Sequence, residues 1–111
     1  MQATEYGSNK IISFNENNII YVIQDGYECK THFKNGKELS LSLNEMDALL
    51  YKMPRVFSYK YGCATYLNPK EISTYSSWGY VTVEFNNGEV LHELSRADFK
   101  KNVISKIEKE R

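Results

Sequence analysis

The sequence predicts a mostly β fold with one short internal helix and one C-terminal helix, on three observations. Aromatic residues make up 14% of the 111 residues, nine of them Tyr, and they collect in short segments rich in Ile, Val and Thr, the types that suit a pleated, half-buried surface. Asp25-Gly26, Asn35-Gly36 and Asn87-Gly88 supply the positive φ angles of tight hairpin turns. Only two stretches place apolar residues at the three- and four-residue spacing of a helix.

Each element follows from local chemistry. Residues 10–14 and 19–24 flank Asn15-Glu16-Asn17-Asn18, whose side chains bond their own backbone and favour a turn, so this pair predicts a first hairpin. Asp25-Gly26 turns the chain into residues 27–33, and Asn35-Gly36 turns it again into 38–41. Ser42-Leu43-Asn44-Glu45 matches a capping box. Leu43, Met46, Leu49, Leu50 and Met53 then form one apolar helical face, ended by Pro54, which disfavours helical geometry in the residue before it. A long strand over 56–67 and another over 71–75 come next, and Ser76-Ser77-Trp78-Gly79 turns into the hairpin 80–85 and 89–94. Ser95 with Asp98 opens the last helix, where Phe99, Val103 and Ile107 recur at i, i+4 and i+8; its end is expected to fray after Lys106.

Composition limits what such a chain does. With 41% hydrophobic and 25% charged residues it is an ordinary globular domain. Residues 10–107 form the domain, 1–9 an extension or linker, and 108–111 a tail. Fourteen Lys and Arg balance fourteen Asp and Glu, so no whole-molecule field draws the chain to nucleic acid or anionic lipid. The longest apolar run, Ile19-Ile20-Tyr21-Val22-Ile23, falls far short of the roughly 20 residues of a membrane span, and the polar start has no signal-peptide core. A cytoplasmic protein without membrane contact is expected. Cys29 and Cys63 stand far apart without a CxxC, so neither a disulfide framework nor a zinc module is predicted. His32 and His92 lie in strand-like segments without a nucleophile or carboxylate arrangement and read as surface strand residues. No enzyme activity, metal or other cofactor is expected.

The ordered set Ile19-Ile20-Tyr21-Val22 before Asp25-Gly26-Tyr27, then Asn35-Gly36-Lys37-Glu38, Ser42-Leu43-Asn44-Glu45-Met46, Met53-Pro54 with Phe57, Leu67-Asn68 with Ile72, Tyr80-Val81-Thr82-Val83 with Asn87-Gly88, and Leu94-Ser95-Arg96 resembles the LytTR DNA-binding family over about residues 10–107. The resemblance implies stacked small antiparallel sheets, a β-β-β sandwich. It also implies sequence-specific binding of double-stranded DNA at promoter repeats, through loops and strand ends, by the output half of a bacterial two-component response regulator. A homodimer on DNA, and a receiver or sensory module in the full-length protein, belong to the same expectation. The family's stretch Phe-x-Arg-x-His-Arg-Ser-x-x-Val-Asn aligns with Tyr59 to Asn68. Lys60 keeps the first positive charge there, but Gly62, Cys63 and Ala64 stand where His, Arg and Ser are usual.

By that alignment the DNA-facing candidates are Arg96, Lys60, Tyr27, Gly62 and Cys63, with Lys100 and Lys101 beside the last helix, and Lys30 and Lys70, as phosphate contacts. Arg96 carries the planar donor fork that fits a guanine edge, although a solvated first-turn residue looks the same in sequence. Lys60 suits a phosphate and equally protects a sheet edge. Tyr27 suits stacking or plain sheet surface, and Cys63 suits a small strand residue. The competing expectation is a regulatory protein-interaction module of the same fold, with weak or no DNA binding and a tyrosine-rich surface at Tyr59, Tyr61 and Tyr66.

Overall fold

The apolar run 19–23 becomes the strand on which the architecture turns. The computed structural model describes the backbone of residues 1–110 and the side chains of residues 1–107. It holds strands β1 (Gln2–Thr4), β2 (Ile11–Ser13), β3 (Ile19–Asp25), β4 (Glu28–Phe33) and β5 (Glu38–Ser42), then helix α1 (Leu43–Tyr51). Strands β6 (Arg55–Ser58), β7 (Cys63–Leu67), β8 (Ile72–Ser76), β9 (Val81–Phe85) and β10 (Val90–Leu94) follow. The C-terminal helix runs on as α2 (Arg96–Asp98), a π-helical stretch (Phe99–Ile104) and α3 (Ser105–Glu110). Eight strands make one antiparallel ladder in the order β5-β4-β3-β7-β6-β10-β9-β8, and β1 pairs with β2 separately.

Strand β3 is buried on both faces, which is why its sequence is continuous apolar instead of alternating. Tyr21 and Ile23 face one core, Ile19 and Val22 the other. In the first core, β3 meets Val81, Val83 and Phe85 of β9, Leu91 and Leu94 of β10, and Phe99 and Val103 of the last helix. Strands four places apart in a ladder touch only if the ladder curls. Tyr21 stacks on Phe85 at 5.1 Å between centroids, His32 Nδ1 lies 3.3 Å from Glu89 Oε1, and Asn87 Nδ2 donates to the Lys34 carbonyl at 3.3 Å. The twist natural to strands thus stacks one half of the ladder on the other. The second core lies on the outer face of β3–β5, where Cys29, Phe33 and Leu41 pack against Ala3 of β1 and Met46 and Leu50 of α1.

Several expectations are corrected. Residues 1–9, expected as an extension or linker, pack on the sheet: β1 pairs with β2, Ala3 is buried, and Tyr6 N–H donates to the Ser40 carbonyl at 3.0 Å, covering the β5 edge. The expected hairpin between 10–14 and 19–24 does not form, because β2 takes β1 as its partner while β3 lies between β4 and β7. The Asn-rich connection is a 3-10 turn, with Asn15 Oδ1 accepting from Asn17 N–H at 2.9 Å. The long strand at 56–67 is instead the hairpin β6–β7, reversed at residues 59–62. In the tail set off at 108–111, helical backbone runs to Glu110, and residue 111 lies outside the described residues.

The capping box is also only half made. Ser42 Oγ accepts from Asn44 N–H at 3.4 Å, but Glu45 turns away from it and accepts from the Thr4 hydroxyl at 2.6 Å. That bond lowers the Glu45 carboxyl below its ordinary value of 4.5. A carboxylate lowered on folding adds stability above its unfolded value, and that stability disappears as pH falls through the folded value. Thr4→Val should therefore raise the Glu45 titration midpoint followed by carboxyl NMR. An unmoved midpoint would remove the Thr4 hydroxyl as its cause.

Candidate nucleic-acid interface

Strand register decides which of the expected DNA-facing residues share an end of the sheet. Gln24, the penultimate residue of β3, pairs with Ala64, next to the first residue of β7. Cys63 opens β7 opposite Ser58, the last residue of β6. Ser58 also pairs with Leu94, the last of β10, and Leu94 with Val81, the first of β9. One line across the ladder therefore meets the β3–β4 turn carrying Tyr27, the β6–β7 turn carrying Lys60 and Gly62, then Cys63, and the strand-to-helix junction carrying Arg96. Tyr27 is 73% exposed, and Lys60, Gly62 and Arg96 are exposed.

Each piece has a local cause. Gly62 sits at φ +69° and donates its N–H to the Ser58 carbonyl at 2.8 Å, while buried Ser58 Oγ accepts from Tyr61 N–H at 3.1 Å. A left-handed residue at this corner favours glycine. A Cβ there would meet nothing within 4 Å, so Gly62→Ala should cost about 1 kcal/mol from backbone strain alone, read as a small drop in denaturation midpoint. A cost above about 3 kcal/mol would mean that the corner is fixed by more than this φ angle. Ser95 Oγ accepts from Asp98 N–H at 3.2 Å and starts the helix, and Asp98 Oδ2 accepts from Phe57 N–H at 3.0 Å, binding that helix start to β6. Arg96 is then the first helical residue, the end where a cation opposes the helix dipole. Among the described residues it makes no ion pair.

The same end carries an aromatic surface that the sequence only partly announced. Phe57 and Tyr59 meet edge-on at 5.1 Å, Tyr59 reaches Tyr80 at 4.8 Å, and Lys60 Nζ lies 5.5 Å from the Tyr61 ring centre. Trp78 is 95% exposed in the neighbouring turn. With Lys60, Tyr80, Thr82, His92 and Glu93 it lines a shallow depression of about 480 Å³. A bulge between Leu91 and Leu94 shapes this depression and holds Glu93 at φ +57°, the single positive-φ non-glycine among the described residues. Tyr59 and Tyr61 are the part of this face that the sequence named; the β10 bulge left no signal.

The other expected residues divide between this end and the rest of the molecule. Lys30 lies near enough to Cys63 for its charge to act on the thiol. Lys70 follows the far end of β7, in the 3-10 turn Pro69–Glu71. Lys101 borders the start of β6 with Arg55, away from Ser58, and Lys100 is exposed on the same helix. Tyr66 leaves the expected tyrosine surface: it packs on the second core and donates its hydroxyl to Gln24 Oε1 at 2.8 Å. His32 is not a plain surface residue, because it stacks on Tyr21 at 4.2 Å and faces Glu38 and Glu89.

The charge at the strand-end line is mixed. Lys30, Lys60 and Arg96 stand near Asp25, Glu28 and Glu93, so contact there depends on individual donors instead of a broad positive field. Burial raises the Cys63 thiol above its ordinary value and pushes the Cys29 thiol up to about 11. Neither cysteine is a poised thiolate. No group of three His, Cys, Asp or Glu able to hold a metal occurs among the described residues, nor does a helix long and apolar enough to cross a membrane. Neither a family model nor a curated protein matches the sequence.

Proposed function

We propose that this chain is a sequence-specific DNA-binding domain of a bacterial transcription regulator, a LytTR-type response-regulator output domain. It contacts promoter repeats with the turns and strand ends that line one end of its sheet. The observation that carries the reading is the register that aligns the Tyr27 turn, the Lys60–Gly62 turn, Cys63 and the Arg96 junction, although these segments are far apart in sequence. Arg96 supports it further, as an exposed guanidinium placed where the helix dipole does not favour it. Without net positive charge a single copy binds modestly, and two copies on adjacent half-sites recover affinity through effective concentration. Selection of duplexes from a random library by the purified chain, followed by salt titration of the enriched sequence, tests this. Enrichment of a repeated motif with a steep salt slope is the expected result. Equal, weak retention of all duplexes overturns it.

A second reading is favoured by the exposed rings of Phe57, Tyr59, Tyr61, Trp78 and Tyr80: a regulatory module that docks a protein through this aromatic face. It is the reading to adopt if no duplex is enriched even at low salt.

A further inference from the structure

The opposite end of the fold holds a groove of about 620 Å³, within the roughly 300–1,000 Å³ of small-molecule sites. The end of α1, the two 3-10 turns at Glu16–Asn18 and Pro69–Glu71, the β4–β5 turn and α3 converge on it. Its walls combine an apolar surface, including Leu49, Met53, Pro54 and Pro69, with the lysines Lys34, Lys52, Lys70 and Lys106. Among the described residues lining it, Glu16 and Glu71 are the acids that oppose them, so this lining is net positive in a chain whose formal charge is zero.

The lysines are not equivalent. Lys34 Nζ pairs with the half-buried Glu71 carboxylate at 3.3 Å. Lys106 Nζ donates to the Lys52 carbonyl at 3.2 Å, which draws α3 to the end of α1 and holds that ammonium at the groove. Among the described residues Lys52, Lys70 and Lys106 have no carboxylate partner. Lining one concavity, these three cations offer a polyanion several ammonium groups at once. Lysines bind phosphate as point charges without demanding a planar fork, and the Met53, Pro54 and Pro69 surfaces offer an apolar bed for a ring.

We infer that this groove binds a small phosphorylated ligand of the nucleoside di- or triphosphate class, with phosphates at Lys52, Lys70 and Lys106 and the base on the apolar wall. The site lies away from the Arg96 end and stands independently of the DNA-binding reading. Amide NMR of the full chain, titrated separately with ADP, pyrophosphate and adenosine, tests it. ADP should shift the amides of residues 16–19, 52, 53, 67, 68, 70 and 71, pyrophosphate should shift a subset with lower affinity, and adenosine alone should bind far more weakly than ADP. Lys52→Gln with Lys70→Gln should weaken ADP at least about ten-fold with an unchanged melting temperature, and Lys60→Gln, at the other end, should leave it unaltered. The inference is overturned if ADP leaves these amides unmoved, or if the double variant binds it as well as the parent. It is equally overturned if a short DNA duplex, and not ADP, moves them, which would make the groove a DNA backbone contact.

Discussion

Phe85→Ala should destabilise the fold by about 3–5 kcal/mol, a large share of the roughly 5–15 kcal/mol that holds such a domain folded. Phe85 is 1% exposed and belongs to β9, yet its ring stacks on Tyr21 of β3 at 5.1 Å. It therefore joins the two stacked halves of the curled ladder, and truncation removes apolar burial, the ring contact and the packing between halves together. Neighbours fixed in strands on both sides leave little freedom to collapse into the cavity. The melting temperature should fall by more than about 10 °C. Phe85→Leu, which retains most of the volume, should cost clearly less, and Phe57→Ala on the exposed face should cost about 1 kcal/mol or less. A Phe85→Ala loss below about 1 kcal/mol would mean that the halves do not pack through this ring.

Arg96→Ala should weaken the enriched duplex by about 1–3 kcal/mol, a loss of roughly five- to 150-fold, and relax preference at one base position. Its side chain is exposed and has no ion-pair partner among the described residues, and removing a cation from the first helical turn slightly favours the helix dipole. Thermal stability should thus stay within about 0.5 kcal/mol. That separation of binding from stability distinguishes base readout from a structural role. Lys60→Ala should instead weaken all duplexes alike and flatten the salt dependence if it meets a phosphate. A large stability loss on Arg96→Ala with unchanged binding would place Arg96 among the structural residues.

Much of the fold was legible because its cues are local. The Asn35-Gly36 and Asn87-Gly88 turns, the Ser42 and Ser95 caps and the apolar stripe from Met46 to Leu50 all act within a few residues of themselves. Pairing partners were not legible in the same way. Nothing near Ile11–Ser13 tells whether it pairs forward with β3 or back with β1, and the three residues of β1 are too few to display a pattern. The β6–β7 reversal was hidden because Tyr59, Lys60 and Tyr61 continue the strand-like composition and a lone Gly62 makes the corner. Curling of the ladder is similarly non-local, and it converts His32 from a surface residue into a neighbour of Tyr21 and Glu89.

The candidate site divides along the same boundary. Tyr27, Lys60, Gly62, Cys63 and Arg96 were each nameable through the resemblance to the LytTR family. Their meeting at one end depends on the pairs Gln24–Ala64, Cys63–Ser58 and Ser58–Leu94, which no sequence signal specifies. The same register separates Lys70 and Lys101 from that end, so surface lysines that look equivalent in sequence fall into two regions. The Phe57–Tyr59–Tyr80 contact and the Glu93 bulge arise from cross-strand geometry and were out of reach for the same reason.

The most direct test of the central claim is an amide-shift map of the full chain against a short duplex carrying the enriched motif, at low salt. The shifts should concentrate at Tyr27, Lys60, Gly62, Cys63, Arg96 and the Trp78–Tyr80 turn, and raising the salt should remove them. Shifts confined to the lysine groove at the other end, or none at any duplex concentration, would contradict it and leave the aromatic face as a protein-docking surface.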